Sequence, residues 1–377
     1  MITIQPGDAV NYRQFQQADG TPTTVTTLEQ DDVVMWYVNS ERGNACGNNL
    51  SPGMFGFLAA DSFISATQAR FGAPPGVDVS VMGGAFLPAS GLPGNAQLAD
   101  DGFLTTPSQE INAHCNMQLV RVFMPRVLQL GSLATIMATY YNEYTGLGGI
   151  LPIKVKEVLD LMGKTDTNPT FNLEGVGFSS TDFIGFNGHS GWHTDLFTSV
   201  DQSGGQSQTT GLGGGGAGWR DGGNHSTSAS SGGVSPETTY CAGNCYPGSD
   251  FNKVKYAFMG SAGASNLDES IGGGVLVLHS KKIENGRLNV YNGGLTVSGG
   301  GAGGGSVYMD FEIVNQFAAA ASDVIFNIYA NGSTGQYVDP GLESGGGGGG
   351  HINIQVCDNR NTTNASDILD VSGGGSF

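Results

Sequence analysis

The sequence predicts a mainly β fold with glycine-rich strand repeats, in which polyglycine segments can pack together, plus a small helical layer. Glycine contributes 63 of the 377 residues, more than twice the usual share of about 7%. In the C-terminal half, glycine tracts alternate with runs of β-branched and aromatic residues, a pattern typical of repeated strands. One central stretch instead carries apolar residues at helical spacing, which indicates helices.

The repeated unit occurs about two and a half times between Gly272 and Val356. Each copy has a glycine tract, a strand, a short connection, a second strand and an Asn-Gly turn. The first copy runs from Gly272 to Gly294, the second from Gly303 to Gly332, and Ile368 to Gly375 is a candidate closing half of the third. The tracts predicted to be structural are Gly272, Gly273, Gly274, Gly303, Gly304, Gly305, Gly345, Gly346, Gly347, Gly348, Gly349 and Gly350.

These tracts have two interpretations. Glycine loses more backbone entropy on ordering than any other residue, so a free tract is a flexible linker. Packed tracts gain from the strands between them, because a backbone without Cβ atoms can approach its neighbours closely. We favour ordered packing, and linkers between independent strands are the alternative.

The distribution of glycine predicts the domain organisation. Residues 1–165 contain 18 glycines and the following 212 residues contain 45. We therefore predict a β-rich platform or attachment region over 1–106, a helical layer over 107–165 and a glycine-rich β-repeat domain over 166–377.

In the first region, Val33 to Val38 is a predicted buried strand because it is rich in β-branched and aromatic residues. Val77, Val79 and Val81 alternate with polar residues, which is the period of a half-buried strand.

The helical layer rests on start signals and periodicity. Thr106 and Pro107 form a helix start, and the first helix is expected to run to about Met124. A third, shorter helix should begin at Pro152 and end at Gly163. The apolar stripe of the helix between them is Val127, Leu130, Leu133, Met137, Tyr140, Tyr141 and Tyr144. We interpret this stripe as core, packed on the β platform or on a neighbouring subunit.

Charge and segment patterns exclude several classes of protein. The net charge is −18, with 15 Lys and Arg against 33 Asp and Glu, which disfavours nucleic-acid binding. The N-terminus lacks the basic and apolar regions of a secretory signal, and no apolar run reaches the roughly 18 residues of a membrane span. We expect neither feature.

Chemical motifs are sparse. His189 and His193 with Cys241 and Cys245 could form a zinc site, although their spacing matches no common finger; a local disulfide between Cys241 and Cys245 is the alternative. No nucleophile elbow or phosphate loop is present, so we predict no enzyme, no metal and no cofactor. A glycan-cleaving depolymerase stays open, because its carboxylates pair in space rather than in sequence.

The repeats resemble a known family. Their glycine tracts, the Val275 to Leu278 strand, the Leu288 to Val290 strand and the Asn292-Gly293-Gly294 turn are similar to the glycine-rich repeat proteins of bacteriophage tails and virions, such as tail fibres and adhesins, and to some bacterial surface proteins. The resemblance covers about 205–377 and implies packed glycine segments with loops that contact the host.

From this resemblance we predict a bacteriophage virion structural protein on the tail or capsid, assembled in the host cytoplasm and contributing to host attachment. Expected partners are copies of itself in a homo-oligomer, other virion proteins and a host cell-surface receptor or glycan. A cellular surface or filament-forming protein is the alternative. The candidate receptor- or partner-facing residues are Trp192, Trp219, Arg220, Tyr240 and Tyr246, because aromatic and Arg side chains dominate binding hot spots; they could instead cap the glycine stack.

Overall fold

The computed structural model shows strands and no helix in the residues that it describes. Two compact units contain them: the first comprises Met1–Val122, Tyr144–Leu147 and Phe251–Tyr256, and the second comprises Phe123–Glu143, Gly148–Asp250 and Ala257–Phe377. The described residues are 9–11, 33–42, 53–65, 68–72, 96–98, 114–141, 147–165, 167–178, 255–257, 259–260, 262, 270–297, 301–314, 324–336, 346–359 and 367–374.

The first unit contains one mostly antiparallel sheet, with strand order β1-β4-β3-β2-β6-β5 and β11 paired with β3. Its strands are β1 (Ala9–Asn11), β2 (Val33–Arg42), β3 (Met54–Ser65), β4 (Gln68–Gly72), β5 (Ala96–Leu98), β6 (His114–Arg121) and β11 (Lys255–Tyr256). The predicted strand at Val33 to Val38 is confirmed, and its residues Val33 to Tyr37 are all buried. The predicted strand at Val77 to Val81 lies outside the described residues.

The second unit is dominated by parallel pairing. Its strands are β7 (Val127–Gln129), β8 (Ile136–Met137), β9 (Ile150–Lys164), β10 (Phe171–Asn172), β12 (Ser270–Ile271), β13 (Val275–Tyr291), β14 (Leu295–Thr296), β15 (Ser306–Val314), β16 (Ile325–Tyr329), β17 (His351–Asn359) and β18 (Ile368–Asp370). We name two rows of these strands. In the first row, β7, β9, the first part of β13, β15 and β17 are parallel neighbours. In the second row, β8, β10, the last part of β13, β16 and β18 are parallel neighbours.

A bend in β13 joins the two rows. Asn285 and Gly286 have positive φ angles of 64° and 134°, and the register with β9 shifts between Glu284 and Gly286. Asn tolerates this left-handed conformation better than most residues with a side chain. The Asn285 side chain also donates a 3.0 Å hydrogen bond to Asp160 Oδ1, which holds the bend against β9.

The two rows share one hydrophobic core. Leu276 and Leu278 from the first row and Val290 and Ile328 from the second are all fully buried in it. Phe311 and Phe326 bring the rows together, with ring centroids 5.8 Å apart. Burial of this apolar area is the main favourable term that offsets the entropy of ordering the glycines.

The glycine segments at the ends of these strands contact each other through backbone hydrogen bonds. Gly273 N–H donates to Gly303 O at 3.0 Å, and Gly304 N–H donates to Gly348 O at 3.0 Å. Further backbone bonds join these segments to the residues that follow the second-row strands: Gly305 N to Asn292 O at 2.9 Å, Gly350 N to Ala330 O at 2.6 Å, Ser333 N to Ala302 O at 2.9 Å and Gly374 N to Gly347 O at 2.8 Å.

Close approach explains why these positions are glycine. A Cβ atom on Gly304 or Gly347 would lie under 3.0 Å from a neighbouring backbone carbonyl, that of Ala330 or Ala302 respectively. Neither glycine has a φ angle in the left-handed region. Space between backbones, rather than conformational freedom, therefore requires glycine here.

The predicted helical layer is wrong in the described part of 107–165. That segment contains β6, β7, β8 and β9 instead of helices. The spacing of the apolar stripe was misleading, since Leu133, Met137 and Tyr140 are 82%, 56% and 62% exposed and do not form a core face. The predicted helix start at Thr106 and Pro107, and Tyr144, lie outside the described residues.

The third predicted helix is a strand in the structure, because its buried apolar residues alternate along the chain with a period of two. Ile153, Val155, Leu159 and Leu161 are fully buried on the core side of β9. Met162, near the end of the predicted helix, is 58% exposed. β9 pairs with β13 from Ile150 to Lys164, so long-range pairing overrides the local helical signal.

Pro152 is compatible with a position inside β9. Its carbonyl accepts a 3.1 Å hydrogen bond from Phe123 N, on the side away from β13. The N and O atoms of a strand residue point to the same side, so an N–H group at this position would also point away from β13. The proline therefore removes no hydrogen bond between β9 and β13.

Candidate functional site

The candidate binding residues from the sequence, Trp192, Trp219, Arg220, Tyr240 and Tyr246, lie outside the described residues. The same holds for His189, His193, Cys241, Cys245 and Gly345. The remaining predicted glycine positions, Gly272–Gly274, Gly303–Gly305 and Gly346–Gly350, are described, and the structure places them at the ends of the first-row strands.

The described residues offer a different candidate on the second row of strands. Phe171, Val290 and Ile328 point into the core, so the residues next to them point away from it. The residues that follow them, Asn172, Tyr291 and Tyr329, are in register with one another on three strands and with Asp370 on a fourth strand. We define the tyrosine–asparagine face as Asn172, Glu174, Asn289, Tyr291, Asn327, Tyr329 and Asp370.

The two tyrosines are the centre of this face. Their rings pack edge to face, with centroids 5.4 Å apart and an interplanar angle of 84°, a favourable geometry for aromatic pairs. Both side chains are half-buried. Tyr291 donates a 2.9 Å hydrogen bond from its hydroxyl to Thr167 O, whereas within the described ranges the Tyr329 hydroxyl has no partner.

The environment keeps the Tyr291 phenol neutral. Burial raises its pKa above the usual value, and the neighbouring Tyr329 and Glu174 raise the pKa further. A neutral phenol can both donate and accept hydrogen bonds.

Beside the tyrosines, two asparagines form a buried amide chain. Asn327 donates from Nδ2 to Asn289 Oδ1 at 3.0 Å, and Asn289 donates from Nδ2 to Asn168 O at 3.0 Å. The backbone N–H of Asn289 donates to Thr170 Oγ1 at 3.2 Å. These bonds fix the orientation of both amide groups, which lie two residues before Tyr291 and Tyr329 on the same two strands.

Carboxylates lie at both ends of the face. Asp370 accepts hydrogen bonds from Asn331 Nδ2 at 3.0 Å and from Ser372 N at 2.9 Å. At the other end, Asn172 Oδ1 accepts a 3.1 Å bond from Glu174 N. Burial raises the pKa of Glu174, and its carboxylate has no hydrogen-bond partner among the described residues.

A second polar group lies on the first row of strands. Lys154, His279 and Asp310 are in register on β9, β13 and β15, and His279 Nδ1 lies 3.2 Å from Asp310 Oδ2. Burial lowers the pKa of Lys154, as does nearby Lys156, while Asp310 opposes them. A slip of one residue would move such side chains into the core, so we assign this group a role in strand register.

Metal and membrane features are not found in the described part of the chain. Across the described ranges, no three His, Cys, Asp or Glu side chains are arranged as a metal site. No helix of those ranges has the length and apolar character needed to cross a membrane. No protein-family model, curated protein or solved structure matches this chain.

Sequence reasoning missed the tyrosine–asparagine face, although a signal was present. Asn289-Val290-Tyr291 and Asn327-Ile328-Tyr329 repeat the same Asn-X-Tyr pattern at the ends of two predicted strands. With an apolar residue between them, the Asn and Tyr of each strand must share one face. Parallel pairing in register then brings the two patterns side by side.

Proposed function

We propose that the chain is a structural protein of a bacteriophage virion, exposed on the tail or capsid, which contributes to host attachment. The observation that supports this proposal most is the backbone hydrogen bonding between glycine segments, from Gly273 to Gly303 and from Gly304 to Gly348. Segments held to several neighbours in this way form a rigid body on which contact loops can be carried.

The finer architecture belongs to the same proposal. The order of glycine segment, first-row strand, second-row strand and returning segment recurs over Gly272–Gly294, Gly303–Gly332 and Gly346–Gly374. We propose that these are structural repeats with packed polyglycine segments, stabilised by contacts with the adjacent repeat. Such a scaffold needs no catalytic group, and we propose no enzymatic activity.

We also propose association with copies of the same chain and with other virion proteins. The apolar sequence from Val324 to Ala330 would favour association if it lay at an open sheet edge. It does not lie at an edge, because β16 pairs with β13 on one side and with β18 on the other. Large exposed side chains such as Leu133 and Val297, 82% and 64% exposed, still favour a partner surface. Light scattering of the purified chain should give a mass above one chain, and a monomer at micromolar concentration would contradict association.

Immunogold electron microscopy tests the virion proposal. Antibodies against the purified chain should label particles released from the lysed source culture, at the tail or the capsid. Label confined to cell envelopes or filaments would contradict the proposal and favour a cellular surface protein. Shortening of host polysaccharide by the purified chain would contradict its non-enzymatic part.

A further inference from the structure

We infer that the tyrosine–asparagine face binds a neutral glycan. The inference deepens the attachment role proposed above and rests on it for its biological setting. Its structural basis is the combination of a half-exposed aromatic pair, polar groups without described partners and local negative charge.

The aromatic pair provides the apolar part of such a site. The CH-rich face of a sugar ring packs well on a tyrosine ring, since tyrosine combines a broad apolar surface with a polar tip. The rings of Tyr291 and Tyr329 hold each other at 5.4 Å between centroids, and the hydrogen bond to Thr167 O fixes Tyr291. Little side-chain entropy therefore remains to be lost on binding.

Polar atoms next to the rings provide the hydrogen bonds that sugar hydroxyls require. Asn172 Oδ1 is occupied by Glu174 N, which turns its Nδ2 into the available donor. The Tyr329 hydroxyl and the Glu174 carboxylate also have no partner within the described residues. Hydroxyl groups can satisfy all three, because each hydroxyl both donates and accepts.

The charge of the face selects a neutral ligand. Glu174 and Asp370 lie at its two ends, and the chain carries a net charge of −18, which repels polyanions. Among the described residues of β13 that share this side of the strand, the cation is Arg287, four residues before Tyr291 and thus about 13 Å along the strand. It is too remote to neutralise an acidic sugar seated on the tyrosines.

The row of in-register residues Asn172, Tyr291, Tyr329 and Asp370 extends on β8 to Met137, which pairs with Asn172 and is 56% exposed. Ile368, two residues before Asp370 on β18 and in register with Asn327, adds a second apolar side chain and is 46% exposed. Five strands at about 4.8 Å spacing make the row roughly 19 Å long, which is long enough for an oligosaccharide rather than a single sugar.

Binding of the purified full chain to immobilised polysaccharides tests the inference. The probes are three neutral polymers (dextran, mannan and galactan) and two anionic polymers (polysialic acid and hyaluronan). We expect the chain to be retained on at least one neutral polymer and on neither anionic polymer. Failure to bind any neutral polymer, or retention on the anionic ones alone, would overturn the inference.

Variants then locate the site by titration with oligosaccharides of the retained polymer. Tyr329→Ala should weaken binding about tenfold or more, and Tyr329→Phe, which keeps the ring, should weaken it less. The matched control is Phe123→Ala, an exposed aromatic residue of the same compact unit outside the face, for which affinity should stay unchanged. Equal affinity of Tyr329→Ala and the parent would overturn the assignment.

Two further measurements keep the result decisive. Should Tyr329→Ala fail to fold by circular dichroism, Glu174→Gln takes its place, with an expected loss of several-fold in affinity, and no loss would count against the inference. A lower mass of Tyr329→Ala in light scattering, with no glycan binding by the parent, would assign the face to a second copy of the chain. Because these measurements use purified protein, glycan binding can be absent while antibody still labels virions, and glycan binding can be present while antibody labels no virion. The glycan inference and the virion proposal can therefore fail separately.

Discussion

The Asn327 side chain donates a 3.0 Å hydrogen bond to the side-chain oxygen of Asn289, its in-register neighbour on the adjacent parallel strand. Asn327 is only 8% exposed and Asn289 only 1% exposed. A slip of β16 by one residue against β13 would break this bond and turn the Asn327 amide towards the core. The pair therefore specifies register as well as contributing stability.

A double-mutant cycle on this pair measures the bond. Asn289→Ala should cost more than Asn327→Ala, because Asn289 also donates to Asn168 O. We expect a coupling free energy of about 0.5–1.5 kcal/mol, from urea unfolding of the parent, both single variants and the double variant. Strictly additive costs would show that the bond does not contribute.

Substitution of one packed glycine should destabilise the fold strongly. A Cβ atom on Gly347 would overlap the backbone of Ala302, and relief of such overpacking costs about 1–3 kcal/mol. Gly131 is the matched control, since an added Cβ there meets no heavy atom within 4 Å. Thermal unfolding should show a lower Tm for Gly347→Ala and little change for Gly131→Ala. Similar melting of both variants would mean that the glycine segment is a linker.

Asn292 connects a glycine segment to the first row of strands. Its buried Nδ2 donates to Gly274 O at 3.1 Å and to Ser306 O at 3.0 Å. Asn292→Ala leaves both carbonyls without this donor and should cost about 1–3 kcal/mol in chemical denaturation. Asn172→Ala, at a partly exposed position, should cost clearly less. An equal cost at both positions would contradict the bridging role.

Asp367 should make stability depend on pH. Burial raises its pKa, and the bond from Phe326 N opposes this shift. The folded state then holds the proton of Asp367 more tightly than the unfolded state. Ionisation of this carboxyl group therefore destabilises the fold: the loss of stability is absent below the pKa of the unfolded state, about 3.9, and grows as the pH rises through the pKa of the folded state. Asp367→Asn keeps an acceptor for Phe326 N. Its stability relative to the parent should rise between about pH 3 and pH 7, and a difference independent of pH would contradict this.

Strands with strong local signals were predictable from sequence. Val275 to Leu278 and Ile352 to Val356 are rich in β-branched and aliphatic residues, and both lie in strands, β13 and β17. The continuity of β13 from Val275 to Tyr291 was not predictable, because Asn285 and Gly286 read as a turn. In the structure they bend one strand without ending it.

The helical misreading and the missed face have one physical cause. Apolar spacing in a short segment reports which residues can share a side, but strand pairing is decided by partners far away in the chain. The partner of β9 is β13, and only this pairing makes Val155 and Leu159 core residues of one strand. The same long-range pairing places Tyr291 against Tyr329; each Asn-X-Tyr pattern predicts a shared face on its own strand but not which strand lies beside it.

The pairing of β9 with β13 has a consequence for synthesis on the ribosome. The hydrogen bond between Asn285 and Asp160 spans 125 residues, and translation at about 5–20 residues per second needs roughly 6–25 s to make that length. Throughout this interval Ile153, Val155 and Leu159 of β9 lack the neighbouring strand with which β9 finally pairs. Parallel pairs this distant in sequence also form slowly, since a long loop must close first. The nascent chain therefore exposes an aggregation-prone segment for seconds, and a chaperone that holds β9 until β13 emerges would raise the yield of folded protein.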